Sequence, residues 1–220
     1  GTSVEQTAIS FDLTKTDNAS NRYLTWLPFA NINRYWKDKL NLSLAYRRSI
    51  RRPGIGELNP SIDYGDPYNI RFGNPYLQPS LSHNFDFVAG KTKDRYYANI
   101  GLGYNLVTAI YQQVRTLLAD GKTNITWENI SNRREYEIST WSGYTFSQKF
   151  RVNASASYSY SVYSAFDQAV NHYRNGGTLT SNFNSNYAPS ELWNLNSSFT
   201  FNRFANPQGS VTSNISMNIA

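Results

Sequence analysis

The stretch FRVNASASYSYSV, residues 150–162, decides the fold: every second residue is apolar or aromatic, and those between are Ser, Asn or Arg. Successive side chains of a β-strand point to opposite faces, so this pattern predicts a strand with one apolar and one polar face. The same alternation predicts further strands at 40–47, 81–89, 98–106, 179–187, 193–201 and 211–219.

Three segments predict strands less clearly. They are residues 9–14, 23–35 and 133–146, and in the second of them Pro28 interrupts the hydrogen-bond ladder. No part of the chain repeats with a period of 3.6 residues. We therefore predict an all-β protein of about ten strands, each roughly ten residues or longer, a length that suits membrane-spanning strands.

The composition excludes several classes of protein. Only 16% of the 220 residues are charged, yet the mean hydropathy is −0.57, because Asn, Ser and Thr replace the charged residues. No apolar run reaches about 18 residues, which excludes a transmembrane helix. The chain has no Cys and two His, so we expect no disulfide, no metal centre and no cofactor. No acid/base constellation indicates an enzyme, and the scattered Lys and Arg do not indicate nucleic-acid binding.

The connections between the predicted strands alternate between long and tight. The long polar segments lie near 15–22, 48–79, 107–134, 164–177 and 204–209, and the tight ones at 36–39, 90–94, 147–149 and 188–191. Every second turn of an antiparallel meander lies at the same end, so all long loops project from one end. Long loops at one end and short turns at the other are typical of outer-membrane β-barrels. Gly121 is expected to form the tip of a hairpin within the segment 107–134.

Two further features favour a membrane barrel over a soluble sandwich. Aromatic residues accompany the tight turns, as Tyr35 and Trp36, Tyr96 and Tyr97, Phe146 and Phe150, and Tyr187 and Trp193. Rings at strand ends form the girdles of membrane barrels. The predicted polar face also consists of small uncharged residues, whereas exposed soluble strands usually carry Lys and Glu. We therefore predict an antiparallel transmembrane β-barrel whose apolar face contacts lipid.

A distinctive motif lies between residues 44 and 86. It contains LAYRRSIRRP (44–53), LNP (58–60), DPY (66–68) and GNPYLQPS (73–80). We expect Gly73 to permit a positive φ, while Pro75 and Pro79 force Asn74 and Gln78 into extended conformations. These residues then have a structural role, which is to end a long loop and direct the chain into the next strand.

This motif resembles the barrel of TonB-dependent outer-membrane receptors, and most closely the Bacteroidetes-type outer-membrane β-barrel family. The resemblance implies a 22-strand barrel with an N-terminal plug, located in the bacterial outer membrane and driven by TonB. It implies lipid and lipopolysaccharide as surroundings, TonB contact through a plug, and import of a scarce small-molecule or oligomeric ligand. The sequence shows no plug, TonB box, signal sequence or terminal aromatic residue. We therefore expect residues 1–220 to be one barrel segment of a larger receptor.

The expected ligand mouth lies in the long loops. Candidate ligand contacts are Arg47, Arg51, Arg52, Asp63, Tyr64, Asp66, Tyr68 and Arg71. The arginines form either a solvated or lipopolysaccharide-facing rim or an electropositive mouth for an anionic ligand. Two alternatives remain open at this stage: a complete ten-strand outer-membrane pore or structural barrel, and a soluble β-rich binding module.

Overall fold

Ten strands follow one another as an antiparallel meander, and an eleventh, short strand pairs at its side. The computed structural model describes residues 1–11, 19–37, 40–63, 65–166, 171–190, 192–205 and 211–219. The strands are β1 Thr2–Phe11, β2 Ala19–Tyr35, β3 Leu40–Arg51, β4 Asn69–Arg71, β5 Ser80–Lys93, β6 Tyr96–Leu117, β7 Thr123–Ser147, β8 Phe150–Phe166, β9 Asn171–Ser190, β10 Trp193–Ala205 and β11 Val211–Ile219. One short helix, α1, covers Ile55–Leu58. The parallel pair of β4 with β7 lies off the meander.

The predicted strands are confirmed where the structure describes them, but two predicted loops are shorter than expected. Residues 12–14 of the predicted strand at 9–14 lie outside the described residues. The prediction of a long connection at 107–134 is wrong, because β6 continues to Leu117 and β7 begins at Thr123. This part of the molecule is a projecting hairpin, defined here as residues 110–131. Its tip contains Gly121 with φ +80°, as expected. Likewise β8 continues to Phe166 and β9 begins at Asn171, while residues 167–170 lie outside the described residues.

The register brings the apolar residues of neighbouring strands into continuous rows. One row on the apolar face runs Leu44, Phe87, Leu102, Ile138, Tyr158 and Leu179. A row on the opposite face runs Ser43, Val88, Gly101, Ser139, Ser157, Thr180 and Asn202. The sheet therefore has an apolar and a polar face, each continuous over at least six strands.

Aromatic side chains form two sets on the apolar face. Near the tight turns, Tyr144, Phe146, Phe150 and Tyr187 contact one another in sequence, with ring centroids 4.6, 5.0 and 6.0 Å apart. This cluster confirms part of the predicted girdle, but Tyr35 and Tyr97 are paired with polar-face positions instead. A second set, here called the aromatic row, joins Tyr46, Phe85, Tyr104, Tyr136 and Tyr160 across five strands.

From β3 to β8, the residues of the aromatic row lie progressively further from the tight turns. Tyr46 lies six residues from the start of β3 at Leu40, Tyr104 lies eight from the start of β6 at Tyr96, and Tyr160 lies ten from the start of β8 at Phe150. The stagger is therefore about one residue per strand. Closing a sheet into a barrel requires tilted strands with such a shear.

The ladder between β2 and β3 ends where the sequence predicted an interruption. Its last pair is Phe29 with Arg47, and the next residue of β2 is Pro28, which has no N–H to donate. Beyond this point β2 pairs with β1 alone. Within the described residues β1 bonds only to β2 and β11 only to β10, so the meander is an open sheet. Among the same residues, no helix has the length and apolar character needed to cross a membrane.

Candidate functional site

The polar face carries a dense set of uncharged hydrogen-bonding side chains. The Asn186 amide donates to the side-chain oxygens of Asn194 and Asn196 at 2.8 and 2.6 Å, and Thr200 donates to Asn182 at 2.9 Å. These residues alternate with apolar ones along β9 and β10, so the two-residue period places them all on one face. Such a wall offers donors and acceptors to a polar solute.

Three carboxylates interrupt this uncharged surface. Asp86, Glu135 and Glu137 surround Gly103 and line a small cavity of about 140 Å³. Glu135 pairs with Arg133 at 3.4 Å, so part of the negative charge is neutralised within the wall. The sequence does not predict the two glutamates as part of a site, because their convergence depends on the register of β5, β6 and β7. No three His, Cys, Asp or Glu side chains among the described residues, these carboxylates included, are arranged so that they could hold a metal ion.

A larger cavity of about 580 Å³ lies beside the end of the β2–β3 ladder, where β1, β2 and β3 meet. Arg47 and Arg52 line it, together with Leu27, Phe29 and Glu5. Arg52 forms an ion pair with Glu5 and donates from Nε to the Thr7 hydroxyl at 2.9 Å. The cavity is therefore partly basic, with Arg47 free of the ion pair that neutralises Arg52.

Arg48 bridges the gap that Pro28 creates. Its Nη1 donates to the carbonyl oxygen of Trp26 at 3.1 Å, across the position where the β2–β3 ladder has ended. A side chain thus replaces the missing backbone bond, while the Nε of Arg48 is buried without a described partner.

The long loop, residues 52–79, is folded onto the projecting hairpin. Leu58 and Leu77 are each 1% exposed and pack with Tyr111, with Trp127 alongside. We call these four side chains the loop core. Because β6 and β7 extend beyond the sheet, they supply the surface against which the loop buries its leucines.

Gly73 fastens the two halves of the long loop to each other. Its N–H donates to the carbonyl of Asn59 at 2.7 Å, and the N–H of Asn74 donates to Glu57 at 2.8 Å. A Cβ at position 73 would lie 2.6 Å from both the backbone N and O of Asn59. The expectation of a positive φ here is wrong, since Gly121 is the positive-φ glycine of the described residues. Gly73 is required for close backbone approach instead.

The residues that precede the two prolines of the motif form hydrogen bonds to the projecting hairpin. Pro75 follows Asn74, whose side-chain amide donates to the Trp127 carbonyl at 2.9 Å. Pro79 follows Gln78, whose backbone N–H and C=O are both bonded to the Asn129 side chain. The motif Gly73, Asn74, Pro75 and Pro79 therefore lies at the docked base of the loop, which supports its predicted structural role.

The predicted ligand contacts fall into two groups. Arg47 and Arg52 line the large cavity, whereas Arg51 places its guanidinium 5.3 Å from the ring centroid of Tyr111. The Tyr111 hydroxyl donates to the carbonyl of Arg52 at 3.0 Å. Burial, reinforced by the carboxylate of Glu57, raises the pKa of Tyr111. Arg51 therefore supports the loop core.

The second group shapes the outer part of the long loop. The Asp63 N–H donates to the Arg71 carbonyl at 2.8 Å. Asp66 accepts from the backbone N–H of Tyr68 at 2.9 Å and from the side-chain amide of Asn69 at 2.7 Å. These bonds, the Asn69 one foremost, lower the pKa of Asp66. Tyr68 is exposed at the surface, and Tyr64 lies outside the described residues. No contact in the described parts of the chain joins this group to Arg47 or Arg52.

Comparisons with known proteins agree with this architecture. A solved structure, the siderophore receptor PirA from Pseudomonas aeruginosa, is similar with a TM-score of 0.50 and 14% sequence identity. The similarity covers 91% of this chain but 43% of the receptor, so the chain spans less than half of the receptor's length. No curated protein matches the sequence. The profile of the outer membrane protein beta-barrel family matches residues 1–220, and the chain therefore belongs to that family.

Proposed function

We propose that the chain is part of the barrel wall of a TonB-dependent receptor of the Bacteroidetes type, which imports a scarce nutrient across the outer membrane. The polar face then lines the permeation path, and the long loop with the projecting hairpin forms the mouth. The observation that carries this proposal is the continuous polar wall across β3–β10, with an ordered, docked loop at one end.

Membership of an outer-membrane barrel family supports an arrangement with the apolar face against lipid and the polar face toward the interior. The chain is thus an outer-membrane protein, which excludes the alternative of a soluble binding module. The partial coverage of the siderophore receptor supports a larger parent barrel of 22 strands, with a plug that contacts TonB. In this proposal the protein has no enzymatic activity and no cofactor, and residues 1–220 form one barrel segment.

The second candidate is a closed ten-strand pore or structural barrel, since the meander contains ten strands. Against it, the described β1 and β11 pair only with β2 and β10. A passive pore needs no energy from TonB, and this difference separates the two candidates experimentally.

The test measures uptake by cells that carry or lack the full-length gene. The limiting nutrient is supplied in turn as an iron siderophore, a vitamin, a peptide or a glycan. Receptor function predicts that deletion abolishes uptake of one class, and that removing TonB has the same effect. Uptake that persists without TonB would support the pore, and unchanged uptake of every class would contradict import.

A further inference from the structure

Two arginines on the apolar face have no hydrogen-bond or ion-pair partner among the residues that the structure describes. Arg134 of β7 and Arg203 of β10 are both exposed, and neither forms a hydrogen bond or ion pair with the described residues. By the two-residue period, Arg134 shares its face with Tyr136, and Arg203 shares its face with Phe201. In each strand the arginine lies two residues further toward the loop end than the aromatic ring.

The stagger of the sheet brings the two arginines to nearly the same depth. The row through Arg203 continues through Leu179 and Tyr158 to Ile138 of β7. Ile138 lies four residues closer to the tight turns than Arg134. β10 lies three strand-to-strand steps from β7. A stagger of about one residue per step therefore accounts for three of these four residues. The difference in depth is therefore about one residue, or about 3 Å.

The counter-ions for these two charges are not on the same face. Outside the projecting hairpin, the described carboxylates of β5–β10 are Asp86, Glu135 and Glu137, and all three line the polar face. Aromatic rings of a barrel lie at the membrane interface, and residues just beyond them reach the headgroup layer. Anionic headgroups of the membrane would balance the charges of Arg134 and Arg203.

The surface between the arginines is flat and aromatic. Tyr158 and Tyr160 of β8 lie between them, followed by Gly177 of β9, which has no side chain. The Tyr158 ring lies over Gly177, since a Cβ at that position would be 2.8 Å from the Tyr158 hydroxyl oxygen. Three strand spacings and four residues place the two Cα atoms about 20 Å apart. This distance between Arg134 and Arg203 is too large for both side chains to bind one phosphate, but it suits a headgroup that carries two phosphates.

We propose that Arg134 and Arg203 bind the two phosphates of a diphosphorylated glycolipid in the outer leaflet, with Tyr158 and Tyr160 beneath its sugars. Arginine suits this role because its guanidinium donates two parallel hydrogen bonds to a phosphate. The ligand differs from the imported nutrient, and its site lies on the opposite face of the wall from the permeation path.

The experiment uses the full-length protein, purified in detergent, with native mass spectrometry of added lipid. The probes are diphosphorylated lipid A, the same lipid with both phosphates removed, and inorganic phosphate as competitor. We expect the wild type to retain the diphosphorylated form preferentially, and R134Q/R203Q to bind it about 30-fold more weakly, as expected for the loss of two interfacial charges. R134K/R203K, which keeps both charges, should retain most of the affinity.

The matched control is R133Q/R151Q, which removes the same charge from alternate, polar-face positions of β7 and β8. It should leave lipid retention unchanged, and heat-modifiable gel mobility verifies that every variant is folded. Equal retention by R134Q/R203Q and wild type would overturn the proposal. So would equal binding of the dephosphorylated lipid, or displacement by inorganic phosphate, which would indicate a free-anion site instead.

Discussion

Gln78 and Asn129 hold each other through two hydrogen bonds across the base of the long loop. The Gln78 N–H donates to Oδ1 of Asn129 at 2.8 Å, and Nδ2 of Asn129 donates to the Gln78 carbonyl at 2.9 Å. The same Nδ2 donates to the Ala109 carbonyl at 2.7 Å. Ala109 has φ 55° and lies where the β6–β7 register shifts. One side chain thus joins the loop to both strands of the projecting hairpin.

Removal of this side chain should loosen the loop base. Asn129→Ala leaves the backbone groups of Gln78 without their partners, which costs about 1–3 kcal/mol of local stability. Hydrogen exchange at residues 72–80 should accelerate accordingly, while exchange in β8 and β9 stays unchanged. Asn184→Ala, which removes the same side chain from β9, serves as the control. Equal acceleration in both variants would contradict the role assigned to Asn129.

Gly73→Ala should displace the loop. The added methyl group would clash with the backbone of Asn59, and overpacking of this kind costs about 1–3 kcal/mol. Gly56→Ala is the control, because a Cβ at position 56 meets nothing within 4 Å and alanine favours helix α1. Limited proteolysis of residues 52–79 should be faster in Gly73→Ala only. If both variants resist protease like the wild type, the close approach at Gly73 is unimportant.

The loop core can be tested within one helix. Leu58→Ala removes a side chain that is 1% exposed and should destabilise the docked loop by about 2–5 kcal/mol. Ile55→Ala changes a residue that is 74% exposed and should have little effect. The protection of loop amides against hydrogen exchange measures both, and a similar loss of protection in the two variants would contradict the assignment of the core.

Adjacent residues of β7 test which face contacts lipid. Ile138→Arg places a charge on the apolar face and should destabilise the barrel by about 2–4 kcal/mol near the middle of the membrane. Ser139→Arg places the same charge on the polar face, where water screens it, and should be tolerated. Yield of heat-modifiable protein in the outer membrane provides the measurement. The opposite order of effects would reverse the two faces.

Acid should loosen the outer turn of the long loop. The pKa of Asp66 is lowered in the folded loop, chiefly by the hydrogen bond from Asn69. Its stabilising effect is therefore complete above the ordinary value of 3.8 and is lost as the pH falls through the lower folded value. Exchange or chemical-shift titration of the Tyr68 amide should detect this change. Asp66→Asn should remove the pH dependence, and its persistence in that variant would exclude Asp66 as the cause.

The two-residue period of the sequence was sufficient to predict seven of the strands and their faces. Residues 150–162 show why: apolar and polar side chains alternate without a break, so neither the parity nor the strand type is ambiguous. The projecting hairpin was predicted as a loop because its polar residues cover both faces. Outside the membrane neither face of a strand needs to be apolar. A strand that is polar on both faces lacks the alternating pattern by which strands are predicted from sequence.

The contacts of the site depended on register, which the sequence alone does not fix. Asp86 is distant in sequence from Glu135 and Glu137, and their meeting around Gly103 follows from the pairing of three strands. The sequence predicted a positive φ at Gly73, whereas the structure shows a close backbone contact there. The sequence does not distinguish the two roles, because both select glycine. The roles of the candidate ligand contacts stay predictions.

Because the strands are staggered, residues that pair with each other across the sheet lie at different depths in the membrane. Tyr46 and Tyr160 end an unbroken chain of paired residues, yet Tyr160 lies four residues further from the tight turns. With strands inclined by about 40°, that offset corresponds to about 10 Å along the membrane normal. Crosslinks between neighbouring strands will therefore follow the paired residues, whereas spin labels or fluorescence quenchers that report distance from the bilayer centre must be shifted by one position at each successive strand.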